Sequence, residues 1–261
     1  ASSLQDRNTQ AGSSRHHDGS SRYRAVDISD RAAVAQAAAT FDLVIHCASS
    51  GGGGPEGYRR VYLEGARNLL EVLRPRRFLF TSSTSVYAQR DGSWVDETSP
   101  TEPTHETGRI LREAEELVRQ NDGTIARLAG IYGPGRSALL RKFLAGEARI
   151  EGDGGRWLNH AHRDDIAGAL FFLATTLPNE SIYNVCDNEP LTQLAAYEWL
   201  ARRCGRALPA SAEKAGERKR GASNKKVSNR RLRALGWGPV FPDFAAGMTA
   251  VIPSLTSDGE T

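Results

Sequence analysis

The sequence predicts an α/β fold of the doubly wound class, in which a parallel sheet is covered by helices on both faces. Short apolar runs of strand length alternate with segments of helical periodicity as far as residue 135, and the connections between them are short. Runs such as FDLVIHCA (41–48) and RRFLFTSS (76–83) are nearly continuous in apolar character, as strands buried on both faces are. Residues 1–22 hold almost no large apolar side chains and read as a mobile tail that cannot repay its ordering entropy. RAVDI (24–28) then reads as a strand, DRAAVAQAAA (30–39) as a helix and FDLVIHCA as a buried strand. Between 56 and 73, Tyr62, Ala66, Leu69, Leu70 and Leu73 share one helical face, and RRFLFTSS follows as the next strand. A loop carries Trp94, a helix places Ile110, Leu111, Ala114, Leu117 and Val118 on one face, and TIARLAGIYG (124–133) is a further strand, ending at Gly133, Pro134 and Gly135. Beyond it come a helix over 165–177, a strand SIYNVCD (181–187) and a helix over 191–205. The division is therefore a tail (1–22), a sheet core (23–135) and a smaller, mainly helical lobe (136–261) that returns at least one strand to the core.

Composition excludes several classes of function. Hydrophobic residues make up 39% and charged residues 25% of 261, an ordinary globular balance, and no apolar run approaches the roughly 20 residues of a membrane span. A net charge of +3 is too small to argue for a nucleic-acid partner. Cys47, Cys186 and Cys204 are an odd number at wide spacing, so a disulfide framework is not suggested and a reducing cytoplasm is the expected setting. The start ASSLQDRNTQ carries no secretory pattern and reads as the interior of a longer chain.

Several strings match one family in order: FTSSTSVY (80–87), WVDETSP (94–100), GRILREAEELV (108–118), RLAGIYGPGR (127–136), NHAHRDDIAGAL (159–170) and IYNVCDNEPLT (182–192). From about 24 to 250 the chain resembles the extended short-chain dehydrogenase/reductase superfamily, in its NAD-dependent epimerase/dehydratase group, and most closely the atypical YeeZ-like branch. The resemblance implies a Rossmann-like sheet and NAD or NADP as cofactor, without choosing between them. Family members open with a strand, a G-x-G-x-x-G turn and a helix that holds the pyrophosphate; that unit is missing here, which puts cofactor affinity in question. Gly52, Gly54 and Gly57 satisfy the bare pattern, but they follow the strand that resembles the family's fourth, and a plain strand-to-helix turn accounts for them.

The family's proton relay is a Tyr-x-x-x-Lys pair, and no tyrosine of this chain is followed four residues later by Lys. The resemblance puts Thr107 and Leu111 at the two positions. Ser83 matches the family's substrate-orienting hydroxyl, with capping of the strand end as its structural alternative; Tyr87 and His105 are candidate substitute acids, each with a structural role as the competing account. For the cofactor the resemblance implies Asp27 and Ile28 at adenine, Cys47, Ala48 and Ser49 under the adenosine ribose and diphosphate, Thr81 and Ser82 at the strand end, and Ala129 and Gly130 beside the nicotinamide. Asp27 is equally well placed to serve a helix N-terminus, as is Asp30.

His160, His162, Asp164 and Asp165 invite a metal reading, but the resemblance makes them a loop whose acidic residue caps the next helix, and no metal site is expected. Between Lys214 and Arg233 nine Lys or Arg residues face one acidic residue, Glu217, which suits either a phosphorylated substrate or a solvated loop. The expected function is thus an NAD(P)-dependent oxidoreductase, epimerase or dehydratase on a small or nucleotide-linked substrate, with neither nucleic acid nor membrane as partner. The alternatives are a noncatalytic dinucleotide sensor or protein-interaction module, and a cofactor-free or truncated remnant. The helices near 56–73 and 107–120 resemble the family's dimer-forming pair and imply a homodimer.

Overall fold

The computed structural model describes residues 16–17, 21–176, 178–212 and 223–256. Most of the predicted tail (1–15 and 18–20) and much of the basic stretch (213–222) lie outside the described residues; His16–His17 and Ser21–Arg22 pair antiparallel. Four strands build the central sheet: β1 (Leu43–His46), β2 (Arg77–Ser83), β3 (Thr124–Leu128) and β4 (Ile182–Val185). Their spatial order is β4-β3-β2-β1 and every pairing is parallel. Parallel strands need crossovers, and helices supply them. Helix α1 (Arg31–Gln36) precedes β1, with Asp30 as its N-cap accepting from Ala32 N and Ala33 N. Helix α2 joins β1 to β2 through consecutive segments Gly54–Tyr58, Arg59–Glu64, Gly65–Asn68 and Leu69–Leu73. The second and fourth of these have π-helical geometry. In the first π stretch the Val61 carbonyl accepts from buried His46 Nε2 at 3.0 Å, tying the helix to the end of β1.

Helix α3 (Glu106–Gln120) joins β2 to β3 and buries Ile110, Leu111, Ala114 and Val118 against the sheet. The C-terminal part adds α4 (Ala138–Leu144), α5 (Arg163–Thr175), α6 (Gln193–Cys204), α7 (Arg230–Ala234) and α8 (Phe244–Thr256). Arg77, at the start of β2, donates to the Leu173, Ala174 and Thr176 carbonyls, satisfying the end of α5 and locking it beneath the sheet. Two packed clusters cover the sheet's faces, and a third, around Leu140, Phe143, Leu200 and Met248, packs the C-terminal helices together. Among the described residues no helix is long and apolar enough to cross a membrane.

Two local expectations are corrected. RAVDI is not a strand, because no neighbouring strand pairs with it among the described residues. The segment docks on α2 instead, where Asn68 Nδ2 donates to the Ile28 and Ser29 carbonyls. The run TIARLAGIYG is split at Ala129: β3 ends at Leu128, and Gly130–Tyr132 leaves the sheet to pair in parallel with His160–His162. Gly130 permits that approach, since a Cβ there would lie 2.9 Å from the Asn159 carbonyl oxygen.

Candidate active site

The split after β3 opens a cleft at the C-terminal end of the sheet, the edge at which doubly wound folds bind ligands. Two cavities meet there. One, of about 500 Å³, is lined by Cys47, Ala48, Ser49, Thr81, Ser82, the rings of Tyr58 and Tyr62, and the exposed Arg136 and Arg163. The other, of about 350 Å³, runs from Ser83 to Ser85 across to Arg156, Asn159, His160 and Lys225. Ser83, Ala129, Gly130 and Ile131 line both. Seven of the nine residues expected at the cofactor therefore surround one cavity. Asp27 and Ile28 do not line it; Ile28 packs on α2 beside Gly65, close to the His46 ring. Asp27 closes a turn by accepting from Ser29 N and Ser29 Oγ, and these bonds hold its carboxyl below the usual range.

The hydroxyls differ in what they have left to give. Thr81 Oγ1 donates to the His46 carbonyl and Ser82 Oγ to Glu115 Oε1, so both serve the protein and offer surface to a ligand. Ser83 Oγ accepts from Ser85 N at 3.2 Å, capping the turn Thr84–Val86, and its own proton remains to be donated into the cleft. The capping and orienting roles, alternatives in the sequence, are compatible in one side chain.

The two candidate acids point elsewhere. Tyr87 is fully buried; its hydroxyl donates to Asn184 Oδ1 and accepts from Arg127 Nη1, both at 2.9 Å, and burial raises its pKa. His105 is the N-cap of α3, with Nδ1 accepting from Gly108 N at 3.1 Å. Neither lines either cavity. Leu111, at the family's Lys position, is buried and lines the larger cavity. The glycine-rich segment is a strand-to-helix turn in which Gly51, Gly52 and Gly54 adopt left-handed φ angles of 62°, 99° and 60°.

The His-Asp cluster also resolves into structural tasks. His162, rather than an acidic residue, caps α5, with Nδ1 accepting from Asp164 N, while the Asp165 carboxylate accepts from Val240 N and Phe241 N. Among the described residues no three His, Cys, Asp or Glu side chains group as a metal site. His160 is buried against Tyr132 and Phe244, and desolvation lowers its pKa to about 4.

The residue that sequence reasoning passed over is Lys225. It lay inside the basic stretch, yet it is 5% exposed and lines the smaller cavity. Its Nζ donates to the Tyr87 carbonyl at 3.0 Å and to Ser223 Oγ at 2.8 Å, and burial lowers its pKa to about 8. Asn159 positions it: Nδ2 donates to the Lys225 carbonyl while Oδ1 accepts from Val227 N. The neighbouring Lys226 instead sits between the Trp94 and Trp157 rings, and Arg231 pairs with Glu97 and Glu180. The legible sign was KKVS, a lysine pair running into a β-branched residue, which reads as a short strand entering the fold.

The larger cavity has a lining compatible with part of a dinucleotide. Small side chains at Cys47, Ala48 and Ser49 let the backbone approach a ligand, and two exposed guanidinium groups suit phosphate charge.

Comparison with known proteins agrees with the fold. The family model for the NAD dependent epimerase/dehydratase family matches residues 3–186, beginning inside the segment read from sequence as a tail. Protein YeeZ of Escherichia coli K12 is 36% identical over 154 residues, 57% of this chain and 54% of that protein, so the chain spans about half of that relative's length. A protein of Methylobacillus flagellatus, provisionally assigned as an NAD-dependent epimerase/dehydratase, superposes with a TM-score of 0.73 at 30% identity, covering 93% of this chain and 87% of that one. DesIV, a dTDP-glucose 4,6-dehydratase of Streptomyces venezuelae solved with NAD bound, shares the fold at a TM-score of 0.75 and 20% identity, over 89% of this chain and 78% of that one. The sheet, its C-terminal cleft and the matched residues converge on one conclusion: this chain belongs to the NAD-dependent epimerase/dehydratase family.

Proposed function

We propose that the protein is a nicotinamide-dinucleotide-dependent oxidoreductase or epimerase acting on a hydroxyl of a small or nucleotide-linked substrate. The observation that carries this reading is the meeting of two cavities at Ser83, one suited to a dinucleotide and one to a second molecule. A bound nicotinamide dinucleotide supplies the acceptor and donor of hydride. The chain's own residues do the rest. Cys47, Ala48 and Ser49 bring backbone close to the cofactor, Leu111 excludes water beside it, and Ser83 donates a hydrogen bond to the substrate oxygen as charge develops. Arg156 and Asn159 offer polar groups to the substrate's remainder, and DesIV, which acts on a sugar nucleotide, makes that class the first to try.

The first test is thermal. The melting temperature of the protein is measured with NAD, NADH, NADP and NADPH, since a ligand at about 100 times its Kd adds roughly 2.7 kcal/mol. One redox pair is expected to raise it; a folded protein that none of the four stabilises contradicts the reading. A second expectation concerns Ser83→Ala, which should lower turnover by roughly tenfold or more with little effect on cofactor affinity. Parental kinetics in a folded Ser83→Ala protein would remove Ser83 from the chemistry.

Leucine at the family's Lys position favours a second reading, a dinucleotide sensor without turnover. It predicts stabilisation by the cofactor and no exchange of hydride with any alcohol or ketone. A homodimer through α2 and α3, and a reducing cytoplasmic setting for the free thiols of Cys47, Cys186 and Cys204, belong to the proposal as well. Sedimentation at micromolar concentration checks the first.

A further inference from the structure

Of the described groups facing the smaller cavity, few can exchange a proton near neutral pH. Burial lowers His160 to about 4, so its ring stays neutral. The Tyr132 phenol is pushed well above its usual range by burial and by nearby carboxylates, chiefly Asp187. Arg156 stays a cation although burial lowers its pKa. Lys225 is different in its surroundings. Its ammonium is buried with no carboxylate partner among the described residues, and a carbonyl and a hydroxyl are its hydrogen-bond acceptors. An amine in its neutral form has two N–H groups, which the Tyr87 carbonyl and Ser223 Oγ engage. The fourth tetrahedral position of the nitrogen is then free, a lone pair when neutral and a third N–H when charged. The carbonyl that anchors it belongs to Tyr87, the residue ending the turn that Ser83 caps, so amine and hydroxyl are fixed by opposite ends of one short turn.

We propose that the Lys225 amine is the proton-transfer group of this site, doing from the C-terminal lobe what the absent Tyr-Lys pair would do from α3. The inference rests on the oxidoreductase reading. In the oxidising direction the substrate hydroxyl gives its proton to the Lys225 amine and the carbinol carbon loses hydride, with its electron pair, to an oxidised nicotinamide dinucleotide. The C–O bond becomes C=O; the substrate is oxidised, the dinucleotide is reduced, and Ser83 holds the oxygen. The reverse direction returns both. The amine is held by the Tyr87 carbonyl and Ser223 Oγ. The cavity that Lys225 lines is bounded by Ser83–Ser85, which carry no charge, and by Arg156–His160, in which Arg156 is a cation and the His160 ring neutral, while its neighbour Lys226 is turned onto two tryptophans. The rate of oxidation therefore rises with pH as Lys225 loses its proton.

The test follows the Lys225 13Cε resonance in lysine-labelled protein, assigned by its disappearance in Lys225→Arg, through a pH titration. In free protein the midpoint is expected near 8. The nicotinamide ring is cationic in NAD+ and neutral in NADH, so saturating NAD+ should give a midpoint lower by about one unit than saturating NADH. Binding of both forms with identical midpoints, or a midpoint in the ordinary lysine range, overturns the assignment of Lys225 and leaves the cofactor reading standing. If the thermal series selects NADP+ and NADPH, that pair replaces NAD+ and NADH in the titration, and failure of all four dinucleotides to bind overturns both readings. On any alcohol that the NAD+-loaded protein oxidises, Lys225→Arg keeps the cation but cannot release a proton, and kcat should fall by roughly a hundredfold or more with loss of the rising pH limb. Parental turnover in that variant also overturns the proposal.

Discussion

Glu115→Ala should destabilise the protein by about 3–5 kcal/mol, the range for breaking a buried ion pair from one side. Glu115, on α3, has no exposed side-chain surface, and it receives Arg127 from β3 in a two-pronged pair, Nε to Oε1 at 2.9 Å and Nη2 to Oε2 at 2.7 Å. Ser82 Oγ donates to the same carboxylate at 2.6 Å, and Arg112 pairs with it from the half-buried side. From Arg127 the network continues through the Tyr87 hydroxyl to Asn184 on β4, whose backbone N donates to Glu97. Burial opposes the Arg127 cation, and Glu115 more than offsets it. Removing the carboxylate leaves a guanidinium in the core that cannot reach water, whereas Arg112 can turn outward. Urea unfolding measures the effect, and the comparison with Glu115→Leu/Arg127→Met is decisive. With both charges gone the penalty of an unpaired one disappears, so the double variant should lose less than Glu115→Ala alone. A Glu115→Ala loss below about 1 kcal/mol would show that the pair is not desolvated as its geometry implies. Because Ser82 also lines the larger cavity, where a dinucleotide is proposed to bind, weaker dinucleotide binding should accompany the loss.

Asp187→Asn should do the opposite above neutral pH and stabilise. Asp187 follows β4 and is 3% exposed, and its carboxylate makes no well-formed hydrogen bond among the described residues, the Glu189 backbone N–H giving it only weak support. Burial foremost, and then Asp243, Glu189 and Asp165 nearby, raise its pKa to about 8. The folded state therefore keeps a proton that the unfolded chain loses near pH 4. Between these values the unfolded state binds fewer protons, so stability falls as pH rises from about 4 to about 8 and levels off above. At about 1.4 kcal/mol per pKa unit the interval amounts to on the order of 5 kcal/mol. An asparagine has no proton to lose. The difference in melting temperature between variant and parent should grow from pH 5 to pH 8 in the variant's favour. A difference independent of pH would mean that Asp187 is ionised in the fold.

Much of the architecture was legible because burial leaves a local trace. The apolar runs at 43–46, 77–83 and 182–185 and the one-sided periodicity of 106–120 follow from which faces meet the core, and each is encoded within a few neighbouring residues. Part of the site was legible as well. In a parallel sheet the ligand edge lies at the strands' C-terminal ends, and Cys47, Ala48, Ser49, Thr81, Ser82 and Ser83, which the resemblance implied, line a cavity at that edge.

What the local pattern could not carry was partnership across the chain. RAVDI has strand composition, but a strand exists only where another hydrogen-bonds to it, and Asn68 claims its backbone instead. Tyr87 stood in the right string for an acid, yet Arg127 and Asn184 take its hydroxyl into the core. The sequence by itself determined the layered α/β class and the edge at which Ser83 stands. Only the tertiary structure decided that Lys225 is buried, lines the cavity that Ser83 lines and is not one more solvated cation of a basic stretch. The physical reason is that the charge state and role of an ionisable side chain depend on the dielectric and the partners that distant segments bring to it, and residue type and spacing do not encode either.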